Sequence, residues 1–377
     1  MLTNSSNLSY WTKSTIEAAD VTIIGGGVVG ISAAISLMEA DANLRVVVLD
    51  KAPLLVGASV RNAGFACFGS VSEIMDDISR VGELEAVKTV GMRWRGLAQL
   101  RSRCTDEELS YSATGGYEVY EHVVKRAVVV EQMSYINQLL APVTGVPDCY
   151  SIGANHMGVT VHNRLEGLVN PGVMMASLYR KATVLGVQVY GGVEVAQLDA
   201  AGRMLCTSVG ELRYRQLLIA TNAWSKKLLP KEDVLPARNH VLVTSELAEV
   251  PISGGYHMDR GYIYFRNVGK RVLIGGARNI VGDAELTYEM DEADTRITNH
   301  LIEILKQRVL PGCPAFTIEY QWRGLLGVGE QKQPIVGKHD DHITLAFRMG
   351  GMGVAIGTDV GERAASMILD DSNNGGL

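Results

Sequence analysis

A glycine cluster near the start of the chain is spaced to receive a phosphate. Gly25, Gly27 and Gly30 form a G-x-G-x-x-G run, and Asp50 stands 20 residues after Gly30. Each glycine in such a run has its own use: the first permits a tight turn, the second lets a pyrophosphate approach the backbone, and the third lets a helix pack closely on a strand. A helix opening at Val28 and Val29 would offer unpaired N–H groups and a positive dipole end to the phosphates. An acid at the position of Asp50 accepts hydrogen bonds from ribose hydroxyls. The chemistry is dinucleotide binding, and the motif alone does not separate NAD from FAD. A second group lies far along the chain. Tyr262, Tyr264 and Arg266 alternate, so on a strand they share one face. Two hydroxyls and a guanidinium fork suit a substrate carboxylate. A solvated strand face would use the same residues. Arg278 and His257 stand nearby as further candidates.

The elements that would hold these residues can be read from the pattern. Residues 21–24 form a short apolar run ahead of the glycines, residues 28–40 are helical in composition, and residues 45–50 read as a second strand. Strand, helix and strand within about 30 residues make a βαβ unit and imply a parallel sheet. Residues 83–100, 124–140 and 171–185 read as helices, the last with Pro171 at its start and Gly186 just beyond its end. Residues 217–220 are a further buried strand, and 236–280 are strand-rich, with 262–266 and 271–277 flanking a hairpin turn at 267–270. A two-residue turn there would set Gly275 opposite Tyr262. The C-terminus repeats the opening order of elements, with a strand at 343–347, then a glycine cluster, then a helix over 354–369. The fold class expected is α/β, with a Rossmann-like domain built from both chain ends and a second α+β domain with a mainly antiparallel sheet. The division runs 20–80, 150–225 and 325–377 for the first domain, 81–149 and 226–324 for the second, and 1–19 as a loose N-terminal arm.

Composition narrows the class. The net charge of −6 speaks against a general binder of nucleic acid or anionic membranes. Glycine makes up 41 of 377 residues, well above an average usage of about 7%, as expected where backbone repeatedly approaches a ligand. The five cysteines are scattered without a C-x-x-C pair, which suggests neither a zinc site nor a disulfide framework and fits a reducing, cytoplasmic setting. No metal site and no transmembrane segment is expected.

Five segments together resemble the D-amino acid oxidase superfamily of FAD enzymes, of the glycine oxidase, D-amino acid dehydrogenase and gamma-glutamylputrescine oxidoreductase type. They are the fingerprint at 25–30, the loop 57–65 with Gly57, Ser59, Arg61, Asn62, Ala63 and Gly64, the segment 169–172, the segment 218–224 with Ala220, Thr221 and Trp224, and the stretch from Trp322 to Val354. The resemblance implies non-covalent FAD, with Lys51, Val195 and the C-terminal cluster Gly350, Gly351, Met352, Gly353 and Val354 joining the cofactor site. It also implies oxidation of a C–N bond of an amine or amino acid by hydride transfer, with electrons passed to oxygen or another acceptor. No second G-x-G-x-x-G is present to serve NADPH, so the organic substrate is the expected electron donor. The catalytic side would then fall to Tyr262, Tyr264, Arg266 and Arg278.

One departure bears on the substrate. Glycine oxidase-like members carry an arginine soon after Trp-x-Gly, and Leu326 stands in its place here. The carboxylate clamp would fall to Arg323, Arg266, Arg278 or Arg348, or the substrate is not a simple amino acid. Alternative readings are a 2-hydroxy-acid dehydrogenase, a flavin-binding module with a degenerate site, and, on the fingerprint alone, an NAD-linked enzyme.

Overall fold

The computed structural model describes residues 7–53, 55–121, 123–290, 294–313 and 315–375, the side chains of 371–375 excepted. The first six residues of the expected arm lie outside this range. The rest of it is not loose. Ser9 accepts a hydrogen bond from the Thr12 N–H and caps a helix, Tyr10–Glu17. Its one buried side chain, Ile16, packs with Ile24, Val47 and Leu49. The arm is therefore a capped amphipathic helix, held by a single apolar anchor that its polar composition obscured.

The opening βαβ unit forms as read. Val21–Ile24 is buried throughout, and the helix Val28–Ala40 is buried on every face from Val28 to Met38, the pattern of an element enclosed by sheet and helices. The strand pairs in parallel with Val46–Asp50 on one side and Gln216–Ile219 on the other. The full sheet runs Ile335–Lys338, Ile343–Phe347, Gln216–Ile219, Val21–Ile24, Val46–Asp50, Gln188–Gly191. Only the edge strand Ile335–Lys338 is antiparallel to its neighbour. The helices Pro171–Val184 and Gly353–Gly375 pack against Val28–Ala40. Asn170 caps the former through its Oδ1, with Pro171 in the first turn. No helix among the described residues is long and apolar enough to cross a membrane.

The second sheet has eight strands in the order Ile318–Val328, Leu235–Thr244, Arg271–Gly276, Ile263–Val268, Gly255–Met258, Gly116–Val119, Gly158–Asn163, Tyr150–Asn155. All pairs are antiparallel except Gly255–Met258 with Gly116–Val119. Sheet membership departs from the expected division in two places. Residues 150–163 form a hairpin on the edge of this sheet rather than joining the parallel one. The helix Glu83–Arg103 packs on Gly353–Gly375, beside the parallel sheet. The hairpin register also differs. Val268 pairs with Arg271, so the turn is Gly269-Lys270 and Gly275 faces Tyr264, not Tyr262. Gly269 takes φ +56°, which places the tight turn two residues later than an even reading of the flanks.

Between the two sheets a set of carboxylates is buried. One oxygen of Glu166 accepts hydrogen bonds from the N–H groups of Phe68 (2.9 Å) and Gly69 (3.2 Å), and burial pushes its carboxyl up to about 8. Glu118 is raised in the same way by burial while accepting bonds from Ser72 and Tyr120. Between the ordinary pKa of 4.5 and about 8, the folded chain keeps the Glu166 proton and the unfolded chain releases it. Folded stability should therefore fall as pH rises through that window. Glu166→Gln keeps the acceptor and removes the titration. Its stability relative to the wild type, measured by denaturant unfolding, should rise by up to a few kcal/mol from about pH 5 to pH 8. A difference that does not change with pH would mean that Glu166 is ionised in the folded protein.

Candidate active site

The fingerprint is packed as its three glycines require. Gly25 has φ +108°, and a Cβ there would meet the Ala220 carbonyl oxygen at 2.6 Å. A Cβ on Gly30 would lie 1.9 Å from the Gly25 oxygen, so only glycine lets the helix sit this close to the strand. Asp50 Oδ2 accepts from the Gly26 N–H (2.7 Å) and Oδ1 from the Ala52 N–H (2.8 Å). Tyr179 donates to the Gly26 oxygen (2.7 Å), and Ser59 Oγ accepts from Val28 N–H (2.9 Å). The loop is thus tied from the second strand, from the helix Pro171–Val184 and from the segment 57–65.

Above the loop lies a cavity of about 430 Å³. Gly25, Gly27, Val28, Val29, Asp50, Lys51, Ser59, Arg61, Asn62, Val195, Ala220, Thr221, Trp224, Gly351, Gly353 and Val354 line it, as expected from the sequence. Ala63, Gly350 and Met352 line the adjoining cavity instead. Gly30 and Gly64 line neither, since both serve packing: a Cβ on Gly64 would meet the Val169 oxygen at 2.3 Å and Arg266 at 2.5 Å. Sequence reading missed Met174, Glu194, Lys227 and Met290 as wall residues. These are single side chains from four separate segments, and no local motif marks them. At the far end Lys51 Nζ sits 2.9 Å from the centroid of the Trp224 ring, which stacks on Tyr288 at 4.7 Å.

The cavity fits a dinucleotide on its own features. It begins at a helix N-terminus with close backbone and runs along apolar walls. It ends beside the glycines before the last helix. At Gly351 and Gly353 a Cβ would meet only Leu326 and Met349, at 3.7 and 3.8 Å, so these glycines relieve no clash and leave room for a ligand. FAD would rest on Gly25–Gly30, Asp50, Ser59 and the 350–354 cluster. The last helix would offer its positive end to negative charge on the flavin.

The second cavity, about 340 Å³, shares Ala58, Arg61, Asn62, Leu326, Gly351 and Val354 with the first. The two therefore meet edge to edge. Tyr262, Tyr264 and Arg278 line the second cavity, together with His257, Asn239, Glu73 and Arg93. Tyr262 lies just before the strand Ile263–Val268, in helical backbone, so it reaches the cavity from a turn rather than from the strand face it was expected to share.

Arg266 does not line the cavity. Its Nη1 donates to the carbonyl oxygens of Ala63 (3.2 Å), Gly64 (3.0 Å) and Val169 (2.9 Å). It braces the loop 57–65 and is not available to a substrate, which corrects the catalytic role expected for it. The other arginines considered for a clamp are also engaged. Arg323 donates to the Met290 oxygen, and Arg348 pairs with Asp233 (2.5 Å) and donates to the Gln333 oxygen (2.9 Å). Arg278 has no carboxylate partner among the described residues and stands over the Tyr262 ring at 5.7 Å. Arg93, by contrast, pairs with Glu73 at 3.1 Å and is deeply buried. Cys67 packs within 4.0 Å of His257 Nε2, and burial holds this imidazole down to about 4, neutral at physiological pH.

Comparison with known proteins agrees with this geometry. The family model described as FAD dependent oxidoreductase (DAO) matches residues 20–367. The chain is 25% identical to a protein named probable oxidoreductase OrdL from Haemophilus influenzae, over 94% of this chain and 84% of that one. It is 24% identical to the gamma-glutamylputrescine oxidoreductase of Escherichia coli, with the same coverage. Among solved structures, L-proline dehydrogenase from P. horikoshii superposes with a TM-score of 0.76 at 17% identity, over 94% of both chains. Glycine oxidase from Geobacillus kaustophilus superposes with a TM-score of 0.70 at 18% identity, over 93% of this chain and 95% of that one. These likenesses show the fold. The family match runs through both sheets and both cavities, and the chain belongs to the FAD-dependent oxidoreductases.

Proposed function

We propose that this chain oxidises a C–N bond of a small amine or amino acid, with the parallel-sheet part of the chain holding the cofactor and the eight-stranded sheet holding the substrate. The observation that carries this reading is the junction of the two cavities at Arg61, Asn62, Leu326, Gly351 and Val354, with one arginine, Arg278, left without a carboxylate. A substrate seated in the second cavity would present one end to the cofactor and the other to Arg278 and Tyr262. Such chemistry needs fixed position more than acid–base groups. FAD, when bound, accepts the two electrons. The chain's part is to hold the substrate, exclude water and keep the walls neutral where the amine must lose its proton.

The walls suit that part. His257 is held neutral by burial, and the Tyr264 phenol is pushed well up by burial, so it stays protonated. Leu326, where an arginine was expected, forms an apolar wall against Gly351. The relatives named for gamma-glutamylputrescine, glycine and L-proline support an amine or amino acid as the substrate class. No cysteine lines the cofactor cavity among the described residues, which supports non-covalent FAD. Oxygen or another acceptor would take the electrons onward.

Two outcomes test the proposal. Heat- or acid-treated protein should release FAD, and an anaerobic panel of amines and amino acids should bleach the bound flavin. Bleaching by 2-hydroxy acids and by no amine would overturn the reading. The two hairpin-side arginines should also behave differently. Arg278→Gln should keep its flavin and raise KM for carboxylated substrates by about tenfold to a hundredfold, as expected for loss of a charged hydrogen bond. Arg266→Gln strands three buried carbonyl oxygens and should shed flavin and lower Tm first. Equal effects in both variants would show that Arg278 is structural.

A further inference from the structure

We propose that Asn239 binds the substrate's amino group, its Oδ1 accepting an N–H from the neutral amine; this rests on the functional reading above. Asn239 lies on the strand Leu235–Thr244, whose side chains alternate between two faces. Arg238 and His240 point to one side, where both bond to the buried Glu285, at 2.9 and 3.0 Å. Asn239 and Val241 point to the other and line the second cavity. In register Asn239 sits beside Gly324, and a Cβ on Gly324 would approach the Arg61 carbonyl oxygen at 3.5 Å. The side chain is therefore placed at the seam of the two cavities, where the reacting end of a substrate must lie.

Its bonding is half complete. Nδ2 donates to the Tyr264 hydroxyl at 3.1 Å, while Oδ1 is buried and has no hydrogen-bond partner among the described residues. A buried amide oxygen without a partner costs free energy, so such an atom facing a cavity calls for a donor from the ligand. An amide oxygen only accepts, so the ligand group must be N–H or O–H. The charges around it favour an uncharged N–H donor. Tyr264 and Tyr262 approach from the hairpin side with Arg278, and Arg61 comes from the loop 57–65. Across the cavity stand His257, neutral, and Glu73, already paired with Arg93. No unpaired carboxylate faces Asn239 to hold an ammonium, and an ammonium in a buried site without one is costly. The amine that binds is thus the form with a free nitrogen lone pair, the form from which a C–H hydride can leave as C=N forms.

The test uses the flavin-loaded protein. Anaerobic reduction by an amine shown to reduce the wild type is followed against pH for wild type, Asn239→Leu and Asn239→Asp. Asn239→Leu should slow reduction or raise the half-saturating amine concentration by about tenfold or more. Asn239→Asp places an anion beside the amine and favours its protonated form. The acid limb of the pH profile should then move to higher pH by about a unit or more. Binding of propionate, a redox-inert carboxylate read by its perturbation of flavin absorbance, should persist in Asn239→Leu and so report an intact site. The reversed amide would instead present Nδ2 to a substrate oxygen. In that case Asn239→Asp abolishes propionate binding and the inference falls. An acid limb unmoved in Asn239→Asp, with the wild type reduced by amines, overturns this inference alone. A wild type reduced by no amine overturns the functional reading as well.

Discussion

The two halves of the site are joined by one buried guanidinium. Arg266 belongs to the hairpin of the eight-stranded sheet, and its Nη1 reaches three carbonyl oxygens of the cofactor-side segments, at Ala63, Gly64 and Val169. These carbonyls have no place in a regular ladder, and each would be costly if buried without a donor. One planar, fixed donor group meets all three, which a lysine's single rotating ammonium would do less well. The guanidinium's own burial is expensive: desolvation draws it down to about 10, and it still stays charged at neutral pH. Gly64 completes the joint. Its φ of +77° and the space that a Cβ would take from Arg266 and Val169 leave glycine as the residue that fits. The position of the loop 57–65, and through Ser59 and Arg61 the floor of both cavities, depends on this joint.

Around that joint, charge is distributed in a definite way. Carboxylates near the inner walls are either paired, as Glu73 is with Arg93, or pushed toward their neutral form by burial, as Glu118 and Glu166 are. His257 is neutral for the same reason. At the rim the cations keep solvated partners: Arg80 bonds Asp76 at 3.1 Å, and Lys332 bonds Asp77 at 2.5 Å. The interior is therefore polar but nearly uncharged, and the positive groups stand where a carboxylate would enter. A neutral amine and an ionised carboxylate on one molecule are accommodated by opposite ends of one cavity.

Much of this was legible in the sequence, and the limits have physical causes. The strand, glycine and helix series at both chain ends could be read because local sterics dictate it. Gly25 and Gly30 are needed by contacts within a few residues, and Asp50 by a loop amide one strand away. The helix at Tyr10–Glu17 was hidden because one buried isoleucine holds it, and one residue makes no periodic pattern. The hairpin turn was misplaced by two residues because Val268 continues the strand pattern into the segment taken for the turn. Arg266 was taken for a ligand-binding residue because alternation gives the face and not what lies across it. Its partners are about two hundred and about one hundred residues away along the chain. Asn239 carries no motif at all. An acceptor without a partner becomes visible only once the surrounding donors are placed.

The backbone around Arg278 shows why that arginine, among those lining the cavity, is left for a ligand. Asp259 and Arg260 take φ of +46° and +53°, and Ala277 takes +60°, all without glycine's freedom. Such conformations cost on the order of 1–3 kcal/mol each and persist only where surrounding contacts hold them. Those contacts are present. The Ala277 N–H donates to the Tyr262 oxygen at 2.7 Å, and Asn279 Nδ2 donates to Asp259 Oδ2 at 2.9 Å. They lock the turn 259–262 to the turn 276–279. Asp259 is held by Asn279, and Asp76 is shared by Arg80 and Arg260, so neither carboxylate is left to neutralise Arg278. The strain of two adjoining turns thus maintains one cation with only an aromatic ring for company, facing a cavity whose opposite end holds an acceptor without a donor.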